Sequence, residues 1–198
     1  MRLTKSIEKL SLISCGLLLA VATCAGGMDA QISINSLDYS MVKRDLAVFQ
    51  GVIDTTVKQS VQSIMPLTGS TRGVCLPEYG AVFSLEVNLY QIRPLSPFNM
   101  RPHSQQELDS AYQQLVARLE SIKQNFIKVM GEHGSALSEL KPQDYLTVVI
   151  NLLPIDPGPG RSIPTQVVMR VKRSNIDDYR ENKITFSEFS KKVEVAQF

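Results

Sequence analysis

The feature that most constrains the fold is the alternation of apolar and polar residues over positions 81–90. A period of two is typical of a β-strand with one buried face. Residues 145–152 and 166–171 repeat the pattern on either side of a turn-rich segment, which predicts a hairpin. The residues expected to face the core are Ala81, Phe83, Leu85, Val87, Leu89, Leu146, Val148, Ile150, Leu152, Val167, Met169 and Val171.

Two longer segments have the apolar spacing of amphipathic helices, which we interpret as core-facing elements. The first covers residues 38–65 and ends before Pro66. The second opens with Ser104-Gln-Gln-Glu107 and reaches Met130. That opening is a capping box, because the Ser hydroxyl and the Glu carboxylate satisfy backbone N–H groups that lack a partner within the helix.

The remaining segments are shorter. Residues 67–80 contain several Gly and Pro residues and are predicted to form a loop, and residues 91–103 an irregular connector. Ser174 is expected to cap a short helix that reaches about Arg180, and Thr185-Phe-Ser-Glu188 is a second capping box. Residues 193–198 are short enough for an edge strand.

This element order predicts an α+β fold, a two-layer, mainly antiparallel four-stranded sheet with helices. After the first helix the order is β-α-β-β-α-β, which matches the ferredoxin-like split βαβ arrangement. A generic two-layer sheet is the alternative. The first helix would either cover the second face of the sheet or pack beside the other long helix and leave that face open.

The N-terminus has the three parts of a secretory signal peptide, which we assign to residues 1–27. Basic residues precede an apolar stretch over positions 10–22, and small residues follow it. Residues 28–37 are then a short tether and residues 38–198 a single domain. Since no apolar run reaches the roughly 18 residues of a spanning helix, a polytopic membrane protein is excluded.

Lipidation is an alternative processing route. Val21-Ala22-Thr23-Cys24 resembles a lipoprotein box, in which the cysteine becomes the acylated first residue, although Thr23 departs from the usual Gly, Ala or Ser. The chain would contact a membrane only if it were lipidated at Cys24.

The charge balance argues against a nucleic-acid-binding protein, and the cysteine content argues against a disulfide-stabilised fold. Residues 28–198 contain equal numbers of basic and acidic residues, so the field that gathers nucleic-acid phosphates is missing and no nucleic-acid partner is expected. Cys15 lies in the signal peptide and Cys24 at its edge, which leaves Cys75 without an internal disulfide partner. The fold must therefore depend on its hydrophobic core.

The segment from Asp177 to Glu188 partly matches a calcium-binding loop. Tyr179 stands where a third ligand is needed and Asn182 where the turn requires glycine. We favour two short capped helices over calcium binding, and we predict no metal or cofactor.

Cys75 is the candidate nucleophile of the chain. A thiolate requires a nearby base, and the only histidines are His103 and His133. We favour a small apolar side chain beneath a loop, and we assign no catalytic residue.

The polar face of the sheet is the candidate docking surface. Tyrosine, arginine and amide side chains are suited to protein interfaces. The expected members are Ser84, Glu86, Asn88, Tyr90, Tyr145, Thr147, Asn151, Gln166 and Arg170.

Leu76-Pro-Glu-Tyr-Gly-Ala-Val-Phe83 and Ile184-Thr-Phe-Ser-Glu-Phe189 resemble segments of a group of exported bacterial proteins of unknown function. The resemblance implies a bacterial envelope setting, periplasmic or secreted, and transfers no catalytic residue.

The leading interpretation is therefore a non-catalytic, partner-binding or scaffold domain. A hydrolase-type enzyme that uses Cys75 or spatially clustered acids, and a lipid-tethered structural lipoprotein, are the alternatives. The sequence does not determine the oligomeric state.

The two processing routes differ in the mass of the mature protein. Cleavage after Ala25 or Gly27 removes Cys24, whereas lipidation makes an acylated Cys24 the first residue. We expect the intact mass of protein from the native envelope to correspond to the cleaved, unmodified chain. A diacylglyceryl mass on Cys24 would instead establish the lipoprotein alternative, and a mass that includes Met1 would contradict both routes.

Overall fold

The computed structural model of the chain describes residues 39–60, 70–89, 104–154 and 160–198. The predictions for the signal peptide (1–27), the tether (28–37), Cys24, Tyr90 and the connector (91–103, including His103) lie outside these residues.

The described chain contains four α-helices, one 3₁₀ turn and five strands. In chain order they are α1 Tyr39–Ser60, β1 Arg72–Leu76, β2 Gly80–Val87, α2 Gln105–His133, the 3₁₀ turn Gly134–Ala136, β3 Tyr145–Leu152, β4 Gln166–Lys172, α3 Arg173–Arg180, α4 Phe186–Lys192 and β5 Glu194–Gln197. None of these helices is long and apolar enough to cross a lipid bilayer.

The strands form one open, mixed sheet in the order β1-β2-β3-β4-β5. β2 and β3 are parallel, with Gly80 opposite Tyr145 and Val87 opposite Leu152. The other three neighbouring pairs are antiparallel. Helix α2 lies between β2 and β3 in the chain, because a parallel pair needs a long crossover connection.

The α+β class is confirmed, but the four-stranded sheet and the ferredoxin-like order are not what the structure shows. A split βαβ unit has another strand between its two parallel strands, whereas β2 and β3 are direct neighbours here. The fifth strand is β1, in the segment that the sequence predicts as a loop. The first of the two predicted hairpin strands does pair antiparallel with the second, as β3 and β4.

β1 and β2 form a hairpin around the turn Pro77–Tyr79. Glu78 has a φ of 62° and Gly80 a φ of 125°, and a short hairpin loop requires such left-handed residues. The Gly and Pro residues that suggest a loop therefore include a true turn. The sequence does not predict the neighbouring strand β1, because the alternation of Arg72, Val74 and Leu76 is too short to be recognised among these Gly and Pro residues.

All the packing of the helices is on one face of the sheet. In α1, the ring centroid of Phe49 lies 4.8 Å from that of Phe83 in β2, and α1 packs along α2. The second pair of helices covers the same face, since a Cβ added at Gly134 would lie 2.8 Å from Ile176 of α3 and 2.9 Å from Leu146 of β3. The first helix therefore packs beside the second, and the described helices leave the other face uncovered.

The core residues expected from the strand alternation are all buried. The twelve apolar residues predicted from the strand alternation are each no more than 5% exposed. The capping boxes at Ser104–Glu107 and Thr185–Glu188 are both present. The predicted cap at Ser174 is wrong, because α3 begins at Arg173 directly after β4 and its N-cap, Lys172, makes no side-chain cap bond.

Gly80 offers a test of the parallel pairing. A Cβ at this position would lie 2.1 Å from the carbonyl oxygen of Tyr145, and the φ of 125° excludes other residues. We expect Gly80→Ala to lower the free energy of unfolding by at least about 2 kcal/mol in urea denaturation.

Gly51 provides the matched control. It lies inside α1 with nothing within 4 Å of an added Cβ, so Gly51→Ala should stabilise the protein by up to about 1 kcal/mol. Equal stability of the two variants would contradict the close contact between β2 and β3.

Candidate functional site

The candidate site is the face of the sheet that no described helix covers, which we call the open face. It consists of the even-numbered residues of β1, β2, β4 and β5 and the odd-numbered residues of β3. Because side chains alternate along a strand, these positions point away from the buried core.

The strand register arranges the open face in rows across the sheet. One row runs from Leu76 through Gly80 and Tyr145 to Lys172. The next row runs through Val74, Val82, Thr147, Arg170 and Glu194. Apolar residues therefore lie at the β1 end of these two rows and charged residues at the β4–β5 end.

Two tyrosines form the centre of this region. The rings of Tyr79 and Tyr145 stack with centroids 5.8 Å apart. The Tyr79 hydroxyl makes a 2.9 Å hydrogen bond with the Thr147 hydroxyl, so the loop residue folds over the sheet. Thr147 is consequently only 3% exposed, which removes it from any contact with a partner.

Two cations flank the Tyr145 ring. The Arg170 guanidinium carbon lies 5.2 Å from the ring centroid and the Lys172 ammonium nitrogen 5.8 Å from it, within the range of cation–π attraction. Arg170 also donates a 2.8 Å hydrogen bond to Glu194, and this bond and the Glu194 charge raise the pKa of Arg170. No ion pair joins Lys172 to a carboxylate of the described chain, so its charge faces solvent.

The opposite end of the open face carries a ladder of amides. The Gln166 side-chain nitrogen donates a 2.9 Å hydrogen bond to Asn151, and the Asn151 nitrogen donates a 3.1 Å bond to the Ser84 hydroxyl. Between the two ends lies a half-buried apolar strip of Val82, Val149 and Val168. The amide nitrogens of Gln166 and Asn151 therefore each have a partner on the open face.

Most residues expected on the polar face lie there together. Seven of them belong to the open face: Ser84, Glu86, Tyr145, Thr147, Asn151, Gln166 and Arg170. Asn88 follows the last residue of β2, and Tyr90 lies outside the described residues. The prediction missed Tyr79, Lys172 and the whole of β1. The only feature of the sequence that could have indicated these residues is the short alternation over residues 72–76.

Cys75 lies on the other side of the sheet, in a small pocket between β1, α1 and the segment after the 3₁₀ turn. Among the described residues, the pocket is lined by apolar residues together with Asp45 and Glu139, and His133 is not part of the lining. Burial and the charges of Asp144 and Glu139 raise the pKa of the Cys75 thiol. This environment opposes thiolate formation, which a cysteine nucleophile requires.

Asp45 ties α1 to the segment after the 3₁₀ turn. Its carboxylate accepts hydrogen bonds from the Ser138 backbone N–H at 3.1 Å and from the Ser138 hydroxyl at 2.6 Å. Burial by itself would raise the pKa of Asp45, but the Ser138 hydrogen bonds and the neighbouring Arg44 lower it below its usual value. The Asp45 carboxylate, which lies beside Cys75, therefore has a structural role.

The segment from Asp177 to Glu188 forms the end of α3, a turn and the start of α4. Asp177 accepts a 2.8 Å hydrogen bond from Arg173. The Glu188 carboxylate accepts a 2.7 Å hydrogen bond from the backbone N–H of Thr185. Asn182 provides the left-handed turn, with a φ of 58°. The carboxylates that calcium would need are thus bound within the two helices, and no grouping of three metal-ligating side chains occurs in the part of the chain that the structure describes.

Comparison of the chain with protein-family models, with curated proteins and with solved structures found no match. The candidate site therefore depends on the geometry of this chain alone.

The surroundings of Cys75 predict slow alkylation. We expect iodoacetamide to modify Cys75 more slowly in the folded protein than in urea, with the pH midpoint of the rate shifted upward in the folded state. Mass spectrometry of the Cys75 peptide measures both rates.

Asp144→Asn is the matched variant. It removes one of the charges that raise the thiol pKa but keeps the oxygen that accepts the 2.8 Å hydrogen bond from the Lys141 N–H. Its midpoint should therefore move down toward that of a free cysteine. Rapid alkylation of the folded protein at neutral pH would instead show an activated thiol and favour the hydrolase alternative.

Proposed function

We propose that this chain is an exported, non-catalytic domain of the bacterial envelope that binds a protein partner through the open face of its sheet. The observation that carries the proposal is the one-sided packing of the helices. Four described helices pack on one face of the five-stranded sheet, and none of them covers the other face, which presents tyrosines, cations and exposed apolar side chains.

The composition of the open face supports protein binding. Val74 is 48% exposed and Leu76 is 43% exposed, and both belong to the same two rows as Tyr145 and Arg170. Interfaces of proteins are enriched in Tyr and Arg and gain affinity from apolar area in their centre. The tyrosine end of the open face, rather than the amide end, is therefore the region that we expect to carry the binding energy.

The charges of this region suggest the chemistry of the partner. Lys172 has no neutralising carboxylate in the described chain, and a carboxylate placed there would also approach Arg170. A partner segment with an acidic side chain near Lys172 and an apolar side chain over Val74 and Leu76 would satisfy both parts of the surface.

The envelope location rests on the N-terminal segment and on the resemblance to exported bacterial proteins. A periplasmic or secreted protein remains the leading proposal. A lipoprotein tethered through Cys24 is the alternative, and the open face would serve either form in the same way, because it belongs to the folded part of the chain.

Capture of partners from the native envelope tests the proposal. We expect the wild-type chain to capture a partner protein from the envelope. The Tyr145→Ala and Lys172→Glu variants should each capture at least about tenfold less of this partner, because these changes remove the central ring and reverse the unpaired charge. Quantitative mass spectrometry of the captured fraction measures the loss, and thermal unfolding of each variant shows whether the fold is retained.

Lys58→Glu is the control for Lys172→Glu, since Lys58 is an exposed lysine on α1, away from the open face. It should leave capture unchanged. Equal capture by wild type, Tyr145→Ala and Lys172→Glu would refute the open face as the binding surface. A loss of capture in Tyr145→Ala alone, matched by an equal loss of stability, would show that the ring serves the fold.

A further inference from the structure

We infer that the outer edge of β5 pairs antiparallel with the β5 of a second copy of this chain, about a twofold axis at Ala196. This dimer contact is independent of the partner proposed for the open face, because it uses the edge of the sheet and its main-chain groups.

The hydrogen bonds of β5 show which main-chain groups are free. Phe198 and Gln166 exchange two bonds, with N···O distances of 3.0 Å and 3.2 Å. In an antiparallel pair such bonded residues alternate with residues whose N–H and C=O point away. Given the register, Ala196 and Glu194 bond to β4, whereas Val195 and Gln197 direct their main-chain groups to the outer edge.

No described residue beyond the sheet bonds to the main chain of Val195 or Gln197. All four residues of β5 are exposed, with Val195 at 41% and the adjoining Phe198 at 69%. An exposed strand edge with unpaired N–H and C=O groups is a template for a further strand.

At the other edge of the sheet, helix α1 contacts the segment that leads into β1. Along β1, Asp54 of α1 accepts hydrogen bonds from the Thr71 N–H at 3.0 Å and from the Thr71 hydroxyl at 2.5 Å, and α1 packs along the strand. β5 is short, but it contains no lysine or proline and pairs with β4 in a continuous register.

In one register, the side chains of a second copy would meet this edge without placing like-charged side chains opposite each other. With Ala196 opposite Ala196, each Val195 lies opposite the Gln197 of the second copy, and these two pairs exchange the free hydrogen bonds. Residues that meet in a non-hydrogen-bonded pair have Cα atoms only about 4.5 Å apart, which suits the small alanine at the axis. Each Glu194 lies opposite Phe198 of the second copy, and its charge is already bound by Arg170.

Pairing in this register would join the two sheets into one continuous sheet of ten strands, with the two open faces side by side. The contact involves only the residues of β5 and Phe198 from each copy, far fewer than the roughly 20–30 residues a side of a standard stable interface. We therefore expect a reversible dimer whose population rises with protein concentration.

Sedimentation equilibrium of the purified protein over a range of concentrations tests the inference. Wild-type protein should show a monomer–dimer equilibrium. Val195→Pro removes an outward N–H without removing a β4–β5 hydrogen bond, so it should raise the dimer dissociation constant at least about tenfold. Val195→Thr keeps that N–H and should dimerise like wild type.

Charged residues at the axis test the register even if the proline variant fails to fold. Ala196→Glu and Ala196→Lys should each be monomeric, because like charges face each other across the axis. A mixture of the two should form a heterodimer at least as strong as the wild-type dimer.

A wild-type protein that stays monomeric at all concentrations would overturn the inference. It would be overturned equally by a Val195→Pro dimer of wild-type strength, or by the absence of a heterodimer from the mixed Ala196 variants. Each of these readouts is independent of partner capture, so it leaves the proposed function of the open face to its own test.

Discussion

The structure depends on the parallel pairing of β2 with β3. A parallel pair requires a crossover that leaves the sheet and returns on one side, and α2 makes that crossover over the apolar face. Once α2 lies there, α1 buries its own stripe by packing beside α2, with Phe49 against Phe83. The same face is covered by α3 and α4, with Ile176 of α3 and Leu146 of β3 both buried beside Gly134.

One-sided coverage explains why the second face of the sheet differs so much from the first. Its positions combine half-buried valines with an amide ladder and with the Tyr79–Tyr145 stack between two cations. Such a surface is compatible with water and also retains apolar area for a partner. The site that we propose is thus the side that the described helices leave uncovered, and β5 lies at its lateral boundary.

The sequence predicted much of this site, but only within strands that are long enough to show a period. Tyr145, Asn151, Gln166 and Arg170 were expected on one face, and the register places them there. Tyr79 was missed because it belongs to a turn and reaches the face by folding back onto Thr147. β1 was missed for a related reason, since five residues with a glycine among them give too little alternation to separate a strand from a loop. Cys75 was expected beneath a loop, and it lies instead on that strand, facing a small apolar pocket.

The sequence by itself determined which side of each long helix and strand is buried, since the period of the apolar residues follows from the geometry of the element. It also determined the two capping boxes, because a capping box involves residues only three positions apart. The tertiary structure alone decided the order of the strands, the parallel neighbours β2 and β3, and the side on which α1 packs. Main-chain hydrogen bonds between strands are nearly independent of side-chain identity, so the alternation that defines a strand does not specify its neighbours.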